Sequence, residues 1–243
     1  MDLDPGLTAL RPLGGYFVLR AGGTPPGTPA PLADVYADRP VRSGDPLGFR
    51  VEKVRGALRA PEPRVAASVA QQGLAARLWS VTLGCAALYG RIPDPDPRLL
   101  HWDPAAGVPD DLWLREVRPL PADPATVAEA VLGAHLEPLA AALRARHRIA
   151  SGLLRGNAAS ALAGAARQLD RWARAHGHAD AAARARSLAA GLLAHPLLAG
   201  TGTLAGTAFR RRSCCLYYRV PGAGVCGDCC FPRAPRSSAR GTS

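Results

Sequence analysis

The sequence predicts a mainly α-helical domain that closes with a short cysteine-rich segment, and three observations carry that prediction. Ala and Leu are abundant, while aromatic residues make up only 5% of the 243. Apolar residues recur at three- and four-residue intervals over long stretches between 64 and 194. Five of the six cysteines lie between 214 and 230. A hydrophobic content of 48% suffices for one sizeable core, or for one domain with a small appendage. Helices rich in Ala and Leu pack at close range.

Residues 1–60 are rich in Gly and Pro and show little periodicity. Within them, Gly14 to Leu19 is expected as a short strand and Thr24 to Pro31 as a loop. A helix is expected over Arg64 to Tyr89, entered just after Pro61 and Pro63. There Leu74, Leu78, Val81, Cys85 and Leu88 alternate at four- and three-residue spacings, which is one helical face. Ile92 to Pro109 holds four prolines before its last residue and reads as a connector. Leu112 to Pro119 alternates weakly, as an edge strand would. Asp123-Pro124 pairs a cap residue with proline at the first helical position. That helix is expected to run to about Glu137, followed by a second over Leu139 to His147. A third, from about Arg148 to Ala175, aligns Leu154, Ala158, Ala161, Ala165, Leu169 and Trp172 along one stripe. Gly177-His178 breaks it, and Ala179 to Ala194 forms a fourth, ended by His195-Pro196. Gly200 to Thr203 reads as a flexible turn. From 233 to 243 the chain is expected to be a disordered tail. The divisions are thus 1–60, a helical domain over 61–203, a cysteine segment over 204–232, and the tail.

The net charge is +11, and Lys53 is the only lysine, so the basic charge is nearly all arginine. Between Phe209 and Ser243 seven arginines face one acid, Asp228, which concentrates more than half of that net charge in a short segment. Strong basicity attracts anions: nucleic acid, acidic lipid or acidic small molecules. The N-terminus lacks the basic-then-apolar order of a signal peptide. The longest apolar region, Val65 to Tyr89, is interrupted by Gln71, Gln72 and Arg77, which argues against a membrane span. A cytoplasmic chain is expected, not transmembrane, with a place near the inner face of the membrane open to it. Cytosolic thiols stay reduced, so clustered ones point to metal or catalysis rather than disulfides.

Cys214 and Cys215 are adjacent, ten residues separate them from Cys226, two more lead to Cys229, and Cys230 follows. Solitary Cys85 reads as a buried core residue. Four thiolates can hold zinc or an iron–sulfur cluster. Zinc sites usually pair two Cys-x(2–4)-Cys knuckles, and only Cys226 to Cys229 has that form. Adjacent side chains diverge in extended backbone, so Cys214 and Cys215 chelate one tetrahedral ion poorly. A two-iron cluster is broader and offers two terminal positions on each iron, which suits Cys226 with Cys229 on one and the adjacent pair on the other. Gly227 lets the backbone approach, and its amides can donate to sulfur. An iron–sulfur cluster is therefore expected; zinc and a redox disulfide are the alternatives.

These residues resemble the ferric-siderophore reductases of the FhuF type. An adjacent pair, ten residues, then Cys-x2-Cys is that family's C-terminal pattern, matched by Cys214, Cys215, Cys226 and Cys229. Arg211-Arg212-Ser213 before the pair, Leu216-Tyr217-Tyr218 after it, and Cys226-Gly227-Asp228-Cys229 are similar as well. Gly156 to Ala161 and Pro196 to Gly202 are more loosely so. The resemblance covers roughly 65 to 230. It implies a [2Fe–2S] cluster on Cys214, Cys215, Cys226 and Cys229, with Cys230 an extra thiol. It also implies reduction of Fe(III) held by a siderophore to Fe(II), which releases iron in the cytosol.

No catalytic side chain beyond the cluster is expected. Gly200-x-Gly202-x-x-x-Gly206 has the wrong spacing for a dinucleotide fingerprint and follows a helix, so the electron is expected from an unidentified donor. Arg210, Arg211, Arg212 and Arg219 read either as a solvated basic face or as attraction for an anionic siderophore or acidic donor. Arg211, Arg212 and Arg219 are the substrate-binding candidates. No nucleic-acid motif accompanies them, and no nucleic-acid partner is expected. Arg77 and Asn157, polar groups within apolar runs, are expected to be satisfied structurally rather than to line a pocket. The six histidines show no ligand pairing. The rival functions are an iron–sulfur electron carrier with another partner, and a structural zinc protein whose basic segment binds nucleic acid.

Overall fold

Two 3-10 turns, Arg11–Leu13 and Gly15–Phe17, open the computed structural model, which describes residues 7, 9–22, 29–37 and 44–235. Then come β1 (Arg20–Ala21), β2 (Ala30–Pro31), α1 (Leu32–Tyr36), α2 (Pro46–Leu58) and α3 (Pro63–Tyr89). Strands β3 (Arg91–Pro93), β4 (Leu100–Trp102), β5 (Leu112–Leu114) and β6 (Pro119–Pro121) lead to α4 (Pro124–Ala128). A π-helical stretch, Glu129–Leu136, joins α4 to α5 (Glu137–His147). Next are α6 (Ser151–Ala175), α7 (Ala179–Leu193), β7 (Gly202–Ala205), β8 (Ala208–Arg211) and a 3-10 turn at Tyr217–Arg219.

Helix α3 is the axis of the core. Its sequence is apolar on nearly every side, and a helix of that kind must be surrounded. It packs against α6, α2 and α7. The predicted stripe of Leu74, Leu78, Val81 and Cys85 is buried, but so are Val65, Ala75, Trp79 and Leu83 around it. Where α3 meets α6, the facing side chains are small: Ala158, Ala159, Ala163 and Ala166 are buried in α6. Close approach lets the Trp79 indole donate to the Ala158 carbonyl at 3.1 Å. Arg77 is 1% exposed and pairs with buried Asp111 at 2.8 Å. Its remaining N–H groups cap the Tyr16 and Val18 carbonyls at 2.5 and 2.7 Å. One guanidinium thus ties the N-terminal turns to the core helix, and Leu7, Leu10, Leu13 and Phe17 join the same apolar cluster.

Several local expectations change. Gly14 to Leu19 is not a strand: Gly15–Phe17 turns, and pairing begins only at Arg20. Residues 46–58 form α2, through the same Asp-Pro entry that marks α4; Asp45 accepts from the Gly48 amide at 2.9 Å. The expected connector at 92–109 contributes most of β3 and all of β4. Strand β5 is not at an edge, since the sheet order is β1-β5-β4-β2 with β1 parallel to β5. The expected break between Glu137 and Leu139 is helical throughout, because the π-helical turns hand over directly to α5. Helix α6 starts at Ser151, since Arg148 takes φ +46 and ends the preceding helix. The expected turn at Gly200 to Thr203 runs into β7, so the division at 203/204 falls inside a strand. The expected loop at 24–31 and the tail from 233 lie mostly outside the described residues. Among the described residues no helix is long and apolar enough to cross a membrane.

Candidate metal centre

Cysteine binds metal as thiolate, so a metal centre needs a backbone that gathers thiols and stabilises their charge. Here the gathering begins with the β7–β8 hairpin, which sets Gly202 opposite Arg211. A Cβ at Gly202 would stand 2.4 Å from the Phe209 ring, so this register requires glycine. Strand β8 packs on α6 and delivers the chain into Ser213-Cys214-Cys215. Leu216 then takes φ +69, and Pro221-Gly222 turns the chain back with Gly222 at φ +73. The returning arm is fixed by the Arg211 amide, which donates to the Asp228 carbonyl at 3.0 Å.

Helix α6 supplies the floor. Gly156 leaves room for the incoming segment, since a Cβ there would stand 2.3 Å from Ser213 Oγ. Ser160 donates to the Asp228 carboxylate at 2.7 Å, and Arg167 pairs with it at 3.4 Å. Asn157, fully buried, accepts from Arg211 Nη2 at 2.6 Å and donates to Ser68 on α3. Ser68 Oγ in turn donates to the Cys215 carbonyl at 2.8 Å. Both cysteine arms are therefore hydrogen-bonded to the α3–α6 pair.

The thiols form one group. Cys214 and Cys226 each donate to Cys215, and Cys230 donates to Cys229. Receiving two S–H donors holds the Cys215 thiol far below its ordinary range, against the opposing effect of burial. Donating to it pushes Cys214 and Cys226 up. Cys215 is 3% exposed; the other four are half-buried. Cys85 lies elsewhere in α3, and burial pushes its thiol up to about 12, as suits an inert core residue. Among the described residues no three His, Cys, Asp or Glu side chains are arranged to hold a single metal ion.

Backbone amides distinguish the cysteines. The amide two residues on donates to sulfur at Cys214 (from Leu216, 3.2 Å) and at Cys229 (from Phe231, 3.4 Å). The Tyr217 and Asp228 amides lie near enough to Cys215 and Cys226 to favour their thiolates. Cys230 lacks this contact; the amide that reaches it is its own. Donors aimed at sulfur stabilise thiolate and are what a sulfur-ligated cluster uses to hold its charge. A further buried donor, Arg211 Nη1, has no partner in the protein. Four amide-supported thiols on two arms, with a cationic donor to spare, fit an anionic two-iron cluster.

The arginines separate into different environments. Arg211 departs from the expected exposed face: it is 2% exposed, because β8 lays it against α6. Arg212 is exposed and has no carboxylate partner among the described residues. Arg219 is exposed, but it pairs with Glu62 and lies over the Tyr218 ring. Arg210 is exposed beside the Cys230 carbonyl. Sequence reasoning missed Ser68, Ser160 and Arg167 as supports. Gly156, Asn157, Ser160 and Arg167 were the available signal, since they recur along one side of an otherwise Ala-rich helix. Of the histidines, His135 is buried and its Nε2 donates to the Pro95 carbonyl, so Nδ1 accepts from Tyr36. His176 and His178 are exposed and stack on Trp172.

A family model described as the FhuF 2Fe-2S C-terminal domain matches residues 211–231. No curated protein matches the chain. The matched stretch begins at Arg211 and contains all five clustered cysteines.

Proposed function

Taking residues 211–231 as a FhuF-type [2Fe–2S] C-terminal domain, we propose that this protein is a ferric-siderophore reductase of the cytoplasm. Cys214, Cys215, Cys226 and Cys229 are the ligands. The observation that carries this assignment is the amide from two residues on, which donates to the Cys214 and Cys229 sulfurs and lies near those of Cys215 and Cys226, whereas Cys230 has Pro232, without an N–H, in that place. When bound, the cluster supplies one-electron transfer.

The substrate is Fe(III) held by hard oxygen donors. Gaining one electron makes it Fe(II), whose lower charge density weakens every bond to those donors, so the metal leaves and the chelator survives. The protein's part is to bring the complex close and to keep the thiolates in place. The cavity of about 580 Å³ lined by Leu88, Tyr89, Trp172 and His178 lies at the far end of α3 and α6 from the cysteines, which are held near Ser68 and Asn157. The half-buried cysteines instead favour contact at the surface. Exposed Arg210 and Arg212 beside them favour an anionic complex or an acidic electron donor, and Arg219 contributes less because Glu62 offsets its charge. The electron comes from a separate donor.

Anaerobic protein should contain about two irons and two labile sulfides per chain. After reduction, ferric siderophores should reoxidise it while a ferrous chelator traps the released metal. One bound zinc without sulfide would refute the cluster. A loaded cluster that no ferric siderophore reoxidises would leave an electron carrier with another partner.

A further inference from the structure

Arg211 carries a charge that the protein alone does not balance. Its Nε donates to the Ser213 carbonyl at 3.1 Å, and its Nη2 to Asn157 Oδ1 and the Leu153 carbonyl at 2.6 and 3.3 Å. Nη1 is buried and meets no acceptor. None of these partners is a carboxylate. A buried cation without an anion is strongly destabilising. An orphaned N–H on a charged group adds to that.

The surroundings of Arg211 indicate which anion is missing. Its backbone amide holds Asp228, between Cys226 and Cys229. Ser213, which receives Nε, precedes Cys214. Through Asn157 and Ser68 the same guanidinium reaches the Cys215 carbonyl. A two-iron cluster on four thiolates is doubly negative when oxidised, and one added electron gives it a third negative charge.

We propose that Arg211 is the buried counter-ion of the cluster: Nη1 donates a hydrogen bond to a cluster sulfur, and the guanidinium charge raises the reduction potential by favouring the more negative, reduced state. The inference rests on the four-thiolate reading above. The planar fork explains why arginine stands here. Two nitrogens are committed to the protein, which leaves the third in a set direction; a lysine ammonium has no such division. This role differs from that of exposed Arg212, which acts on approaching partners.

The test uses the full chain, grown on arginine labelled with ¹⁵N at the guanidino nitrogens, and reduced with dithionite. Pulsed electron paramagnetic resonance of the reduced cluster should show a ¹⁵N coupling. That coupling should persist in Arg212→Lys and Arg210→Lys and vanish in Arg211→Lys. In a redox titration followed by visible absorption, Arg211→Gln should shift to more negative potential, and Arg212→Gln should shift less. No ¹⁵N coupling in the wild type, or one that survives Arg211→Lys, would overturn the hydrogen bond. An unchanged potential in Arg211→Gln would overturn the charge role. The labelled wild-type protein decides the hydrogen bond without any variant having to load a cluster. A wild type that gives no signal of a reduced two-iron cluster at all would instead refute the reading on which the inference rests.

Discussion

Replacing Asn157 with Ala should destabilise the protein by about 2–4.5 kcal/mol and loosen the cluster at the same time. The Asn157 amide holds both Arg211 and Ser68. Its oxygen accepts from a buried guanidinium at 2.6 Å, a charge-assisted bond worth about 1.5–3 kcal/mol. Its nitrogen donates to the Ser68 carbonyl at 2.9 Å and to Ser68 Oγ at 3.0 Å, together worth about 1–2 kcal/mol. Alanine recovers about 0.5 kcal/mol through its better helix propensity. Arg211 Nη2 would keep only the longer bond to Leu153, and Ser68 would lose a partner while still holding the Cys215 carbonyl. The loss is a sizeable part of an ordinary domain's stability, so the variant should fold but melt early. Denaturant unfolding followed by circular dichroism measures the first effect. The rate at which a chelator bleaches the visible spectrum measures the second. Ser68→Ala should cost less, about 1–2 kcal/mol. The double variant should fall short of additivity, because both positions serve one chain of bonds. A loss below about 1 kcal/mol in Asn157→Ala, with bleaching unchanged, would refute the idea that α6 holds the cysteine arms through this residue.

Three further outcomes follow from the same geometry. Cys230→Ser should keep the visible spectrum and Cys229→Ser should lose it; the reverse result would mean that the ligand spacing is Cys-x3-Cys. His135 is fully buried, and desolvation lowers its pKa from 6.5 to about 4, so the native state binds fewer protons than the unfolded chain between those values. Its contribution is complete above the unfolded pKa and is lost as pH falls through this window, by about 2 kcal/mol between pH 7 and pH 5; His135→Gln should flatten that part of the stability profile, and an unchanged slope would refute it. Reoxidation of the reduced protein by an anionic ferric siderophore should slow as salt rises, since exposed charges are screened over about 8 Å at physiological ionic strength. Arg212→Gln should flatten that slope and leave a neutral siderophore's rate unaffected; equal slopes for both substrates would return Arg212 to an ordinary solvated surface.

The long helices were legible because their signal is local. Helix α3 was expected over 64–89 and is observed over 63–89, and α7 differs from its expected end by one residue. Helix α2 was legible in principle. Asp45-Pro46 is the same entry signal as Asp123-Pro124, but the Gly/Pro-rich surroundings obscured it. The strands were not legible: each spans two to four residues, and β5 acquires its place only by lying between β1, some ninety residues away, and β4. No periodicity in so short a run can report a partner that distant. The π-helical stretch also left no mark, since its apolar composition suits an α-helix equally well.

The chemistry of the centre was a property of the sequence by itself. Ligand type and spacing along seventeen residues, Cys214 to Cys230, limit which metals the thiols can hold, and that limit applies before any tertiary contact forms. Only the tertiary structure decided which arginines face water. Arg211 and Arg212 are neighbours of identical type, and no feature of the sequence around them separates a buried guanidinium from an exposed one. Arg211 ends β8 with its side chain turned toward α6, and Arg212, just beyond the strand, faces solvent. Burial depends on what packs opposite, and the residues opposite Arg211 come from Leu153 and Asn157, more than fifty positions away.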